Sequence, residues 1–199
     1  MKLKCFNAFT LDHSKASVQN LWSMAEQLQI QQLEKTRHNR KDFDCGVPPL
    51  NDYLEKQAAL DVKRKAAGCW VITSTVAECT ILGYYTLSAE AIDAVDLPEV
   101  PKAISKKLPG YRRFGAALLG RLAVARSQQG QGIEELLLMD AFHRCLVMEI
   151  PVVVIVVDPK DKKAADWYER FGFRALTAGR MAVTLLELEA RFNELDSRR

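Results

Sequence analysis

Apolar positions along the chain follow two rhythms, one dense and continuous, the other spaced by three and four residues. Dense runs at about Cys69 to Thr73, Thr80 to Ser88, Ala116 to Ala125, Val152 to Val157 and Met181 to Leu188 predict strands. Val152 to Val157 is mostly β-branched, the pattern of a strand covered on both faces. Ile133, Leu136, Leu137, Ala141, Cys145 and Met148 keep helical spacing and predict a helix from Gly132 to Met148. Another helix starts at Val47-Pro48-Pro49, where proline suits a first turn, and runs to about Lys65; a third follows Asp158-Pro159 through about Arg170. Upstream, Val18, Leu21, Trp22, Ala25 and Leu28 repeat at helical spacing behind the caps Ser14 and Ser17. Strands alternating with helices predict an α/β fold, a mixed central β-sheet flanked by helices with an extra N-terminal helix. Residues 1–30 read as an extension and 31–199 as the main domain.

Composition narrows this picture without naming a chemistry. The 199 residues are 48% apolar, enough for a real core, and the formal net charge is +3, which neither demands nor excludes a nucleic-acid partner. Cys5, Cys45, Cys69, Cys79 and Cys145 are odd in number and lack C-x-x-C spacing, so neither a disulfide framework nor a metal site is expected. Val152 to Val157 is the longest apolar run and far too short for a bilayer, so a soluble, cytoplasmic protein without membrane contact is expected.

Gln129-Gly130-Gln131-Gly132 lies between a predicted strand and a predicted helix. A helix N-terminus exposes unpaired N–H groups and partial positive charge, and glycines let that backbone approach an anion, so this turn is a candidate phosphate seat. Two glycines before a helix also make an ordinary turn. The context is Leu119-Gly120-Arg121-Leu122-Ala123-Val124-Ala125-Arg126-Ser127-Gln128 before it and Trp167-Tyr168-Glu169-Arg170-Phe171-Gly172-Phe173 after it. Together these segments resemble the acetyl-CoA motif and the later F-Y-x-x-x-G-F element of GNAT acetyltransferases. Phe43-Asp44-Cys45-Gly46, Ile81-Leu82-Gly83-Tyr84-Tyr85-Thr86-Leu87-Ser88 and Gly120 to Val124 further resemble the TacT-type toxins of toxin-antitoxin pairs, over roughly Gln31 to Leu188.

The resemblance implies a GNAT fold and transfer of acetyl from acetyl-CoA to the α-amino group of an aminoacyl-tRNA, with a cognate antitoxin as neutralising partner and a homodimer compatible with it. It places Leu122, Ala123 and Val124 beside the pantetheine and thioester, and Gln129, Gly130, Gln131, Gly132, Ile133 and Glu134 around the pyrophosphate. Glu134 departs from the family pattern, which has glycine or alanine there. A carboxylate in a first helical turn suits the helix dipole, whereas one aimed at the pyrophosphate adds bulk and like charge. Tyr168 stands at the family's catalytic tyrosine, a phenol protonated at neutral pH that can donate to a leaving thiolate, although an isolated tyrosine on a helix is commonly a packing residue.

His13, His38 and His143 are scattered and form no triad; His38 reads as a surface residue and Cys45 as a small buried one. Basic residues gather at Lys35, Arg37 and Arg40, at Lys63 and Arg64, and at Lys106, Lys107, Arg112 and Arg113, which suit either contact with tRNA phosphates or ordinary solvated faces. Two other activities stay open: acetylation of a protein or small-molecule amine, and an impaired GNAT that acts by binding a partner.

Overall fold

The computed structural model describes residues 27–176 and 179–196. The strands are β1 (Leu28–Gln32), β2 (Gly68–Ser74), β3 (Ile81–Asp93), β4 (Arg113–Val124), β5 (Val154–Val157), β6 (Arg174–Ala175) and β7 (Met181–Thr184). The helices are α1 (Pro48–Asp52), α2 (Ala58–Arg64), α3 (Lys102–Ser105), α4 (Ile133–Val147), α5 (Lys162–Glu169) and α6 (Leu185–Asp196), with a π-helical turn at Tyr53–Gln57 joining α1 to α2. The sheet is mixed, in the order β1-β2-β3-β4-β5-β7-β6. β1 pairs antiparallel with β2, and β2 with β3; β4 and β5 are parallel; β7 lies antiparallel to both β5 and β6.

Two compact units share these elements. Among the described residues, one runs through Ser88 and takes in Gly120–Ala141, and the other holds Ala89–Leu119 and the residues from Phe142 onward. The first unit's core joins Leu33, Phe43, Tyr53, Leu54, Cys69, Val71, Ile81, Tyr84 and Ala123. The second has a core of Ile92, Phe114, Ala116, Val154, Val156 and Ala182. All four β5 residues are buried, as the β-branched run predicted.

Three expectations need correction. The helix expected over Val18 to Ala25 lies outside the described residues, but Leu28, its last apolar position, belongs to β1, which runs across the expected boundary at residue 30. The Met181 to Leu188 strand stops at Thr184, where α6 begins. Thr184 and Glu187 form a reciprocal cap: the Glu187 amide donates to Thr184 Oγ1 at 3.2 Å, while the Thr184 amide and hydroxyl donate to the Glu187 carboxylate at 3.3 and 2.9 Å. His38 is buried rather than on the surface, its Nδ1 accepting the Glu34 amide at 2.9 Å, and burial lowers its pKa. That bond puts the ring proton of neutral His38 on Nε2.

Candidate active site

β4 pairs with β5 from Ala116 to Leu119, opposite Val154 to Val157, and then continues alone on that edge through Gly120–Val124. Leu122, Ala123 and Val124 therefore lie on a strand end whose β5-side backbone has run out of ladder. On its other side the strand end is held close. A Cβ on Gly83 of β3 would stand 3.0 Å from the Ala123 carbonyl and 3.0 Å from Leu137 of α4, so glycine there lets β3, β4 and α4 approach. The Arg121 guanidinium lies 3.6 Å from the centre of the Tyr53 ring, tying the strand to the π-helical turn, and Tyr53 donates its hydroxyl to Asp61 at 2.9 Å.

Past Val124 the chain makes a tight turn over Arg126–Gln128 and enters α4 through Gly130 at φ 73° and Gly132 at φ 83°. These left-handed residues turn successive amides toward the start of a 15-residue helix, the layout that favours an anion. The turn is clipped to a distant loop. Gln129 Nε2 donates to the carbonyls of Val124 and Cys45, each at 3.0 Å, and the Arg126 amide donates to the Asp44 carbonyl at 2.9 Å.

Asp44 organises that loop. Its carboxylate accepts from the Gly46 amide and from Asn51 Nδ2, both at 2.8 Å, and Arg126 Nε stands 3.2 Å away. Those hydrogen bonds hold the Asp44 pKa below the usual carboxylate range. Cys45 is buried and gives its amide and thiol to Asn51 Oδ1, each at 3.0 Å, so its environment is that of a packed structural thiol. Gly46 has φ 83°, and a Cβ there would fall 2.8 Å from Arg126 Nε. Asp44, Asn51 and Arg126 were not among the expected site residues. Their signal was the Phe43-Asp44-Cys45-Gly46 stretch, to which the sequence attached no role.

Glu134 sits in the first turn of α4, half-buried. Burial raises its pKa above the usual carboxylate range.

In the second unit, α5 is capped by Asp161, whose carboxylate accepts the Ala164 amide at 2.7 Å, and carries Trp167 and Tyr168 near its end. The Tyr168 ring meets Phe173 edge-on at 5.2 Å and Trp167 at 4.9 Å. The Tyr168 carbonyl accepts the amides of Phe171 and Phe173, and Gly172 makes the reversal at φ 94°. A Cβ on Gly172 would collide with the Arg191 guanidinium at 2.5 Å. Burial pushes the Tyr168 phenol well above its ordinary value, so it stays protonated at neutral pH.

Residues 108–183 match the acetyltransferase (GNAT) domain family. A tRNA-acetylating toxin of Mycobacterium tuberculosis is 30% identical over 152 residues, 75% of this chain and 86% of that protein. The chain belongs to the GNAT acetyltransferases, among the tRNA-acetylating toxins. Two solved GNAT structures share its fold. AtaT complexed with acetyl-methionyl-tRNAfMet is 27% identical with a TM-score of 0.74, over 83% of this chain and 99% of that one. AtaTR bound with AcCoA is 27% identical with a TM-score of 0.71, over 84% and 99%.

In this GNAT chain the nine residues expected at the cosubstrate fall in two runs, Leu122–Val124 at the end of β4 and Gln129–Glu134 in the turn leading into α4 and its first turn, and Tyr168 stands on α5. The basic residues behave unequally. Arg37 is paired with Glu78 at 2.5 Å, Arg113 with Asp93 at 3.0 Å, and Arg40 donates to the Glu55 carbonyl. Lys35, Lys63, Arg64, Lys106, Lys107 and Arg112 are exposed. Lys35, Arg37, Arg40, Lys63 and Arg64 belong to the first unit, and Lys106, Lys107, Arg112 and Arg113 to the second. Among the described residues no His, Cys, Asp and Glu group could hold a metal ion, and no helix is long and apolar enough to cross a membrane.

Proposed function

We propose that the protein transfers the acetyl group of acetyl-CoA to the α-amino group of an aminoacyl-tRNA, so blocking translation, and that a cognate antitoxin neutralises it. The observation that carries this reading is the kinship of three quarters of the chain to a tRNA-acetylating toxin. The glycine turn before α4 and the tyrosine on α5 supply parts that such a reaction needs. Charged tRNA as acceptor places the protein in the cytoplasm.

In this reading the backbone of Leu122, Ala123 and Val124 lies along the thioester arm, and the turn from Gln129 to Glu134 meets the diphosphate. The amine nitrogen attacks the thioester carbonyl; the C–N bond forms as the C–S bond breaks. The amine's proton leaves to water, and Tyr168 gives its phenolic proton to the departing sulfur. No dedicated base is required for this acceptor. An α-amine with a pKa near 8 is roughly one-tenth neutral at pH 7, whereas a lysine near 10.4 is neutral in fewer than about one molecule in a thousand.

Incubation with labelled acetyl-CoA and a mixture of charged tRNA, uncharged tRNA and peptide amines tests the reading. Label is expected on charged tRNA alone, released with the amino acid when the ester is hydrolysed. Label on peptide amines with charged tRNA untouched would overturn it.

A further inference from the structure

We propose that the side chains of Asp44 and Gln129 are positioning residues for the cosubstrate: they fasten the turn before α4 to the loop at 44–46, so that the turn meets the diphosphate already in shape. This inference rests on the acetyltransferase reading and concerns the same site.

The Gln129 side chain is bonded to the protein at both of its hydrogens. Nε2 donates at 3.0 Å to the Val124 carbonyl, at the end of β4, and at 3.0 Å to the Cys45 carbonyl, 84 residues earlier in the chain. A carboxamide has two such donors, so none is left for a ligand, and the group ties strand end, turn and loop together. Two backbone bonds precede it. The Arg126 amide donates to the Asp44 carbonyl at 2.9 Å, and the Ala125 amide to the Leu82 carbonyl of β3 at 2.8 Å. Beyond Gln129 this support ends. Gly130 and Gly132 stand in left-handed conformations, and nothing lies within 4 Å of where a Cβ on Gly130 would be. Gln131 Nε2 donates to the Ser127 carbonyl at 3.0 Å, which ties the turn only to itself. The glycines are therefore held in place from Gln129 backward.

The loop can serve as an anchor because it is itself fixed. Asp44 Oδ1 accepts from the Gly46 amide and from Asn51 Nδ2 of α1, both at 2.8 Å, while Asn51 Oδ1 accepts the Cys45 amide at 3.0 Å. Asp44 and Asn51 thus hold the peptide whose carbonyl receives Gln129. The ion pair between Asp44 and Arg126 Nε is more than half exposed on both partners and adds little. A turn that keeps its shape binds without first ordering itself. Loosening it lowers affinity for the part of the cosubstrate that meets the turn and leaves the chemistry at the thioester alone.

The test compares the full-length protein with Gln129→Glu, Asp44→Ala and Asp44→Asn. Gln129→Glu keeps the size of the side chain and replaces both donors by an acceptor. Each protein is assayed with charged tRNA and either acetyl-CoA or acetylpantetheine, which carries the same thioester and lacks the diphosphate. Gln129→Glu and Asp44→Ala are expected to raise KM for acetyl-CoA about tenfold with kcat within about twofold, and to leave kcat/KM for acetylpantetheine unaltered. Asp44→Asn retains an oxygen for Gly46 and Asn51 and is expected to recover most of the loss. A general loss of structure would instead lower kcat/KM for both thioesters by one factor. That result, or an unchanged KM for acetyl-CoA in both Gln129→Glu and Asp44→Ala, would overturn this inference and leave the acetyltransferase reading standing. Failure of the unaltered protein to acetylate charged tRNA with either thioester would overturn that reading and this inference with it.

Discussion

Tyr168 has to keep its proton until a thiolate appears, and the residues around it serve that need. Its ring is packed between Trp167 and Phe173, and burial raises the phenol's pKa, so the donor form persists above pH 10. Two results are expected. Tyr168→Phe should leave the thermal midpoint within a degree or two and lower kcat about a hundredfold or more, the usual weight of a positioned general acid; unchanged turnover would take Tyr168 out of the mechanism. Single-turnover rates should climb as the α-amine loses its proton through about pH 8 and show no descending limb up to about pH 10. A phenol raised by burial gives that sign, because the form that acts is the protonated one. Residue-scale chemistry was legible in the sequence where it was local: the glycine turn and Trp167 to Phe173 each fit within a few positions. The clip from Gln129 to Cys45 spans 84 residues of chain, and no local pattern marks such a bond.

At the scale of elements, the sheet and α4 followed from apolar rhythm because burial on one or both faces imposes it. The misses have separate causes. β1 reads Leu-Gln-Ile-Gln-Gln, partly buried along its length, and Leu28 continued a helical repeat by coincidence of spacing. β6 has two residues, too few to carry a period. β7 and α6 merged because Met181 to Leu188 is apolar except at Thr184 and Glu187, yet Thr184-Leu185-Leu186-Glu187 is a capping box and marks the change from strand to helix. The Glu187 carboxylate in that cap is buried and also meets Arg174 at 2.5 Å. Thr184→Ala removes the cap and one of the partners of this buried acid, and is expected to cost about 1–2 kcal/mol in chemical denaturation. A loss under about 0.3 kcal/mol would show that the cap contributes little to holding α6.

Across the whole molecule the charge balance is modest, and how many cations remain unpaired matters more than their number. Arg37 and Arg113 already face carboxylates, whereas Arg112 is exposed beside the exposed Tyr111 in the stretch between α3 and β4. If this stretch meets tRNA phosphates, Arg112→Ala should weaken binding of every charged tRNA alike and flatten the plot of log affinity against log salt by about 1. Arg113→Ala should do less, because Asp93 holds its charge; an unaltered salt slope in the double variant would exclude this surface from tRNA contact. The glutamate on the turn has a consequence at another level. Glutamate and glycine codons differ by a single base, so the gene stands one transition from a glycine in the first turn of α4.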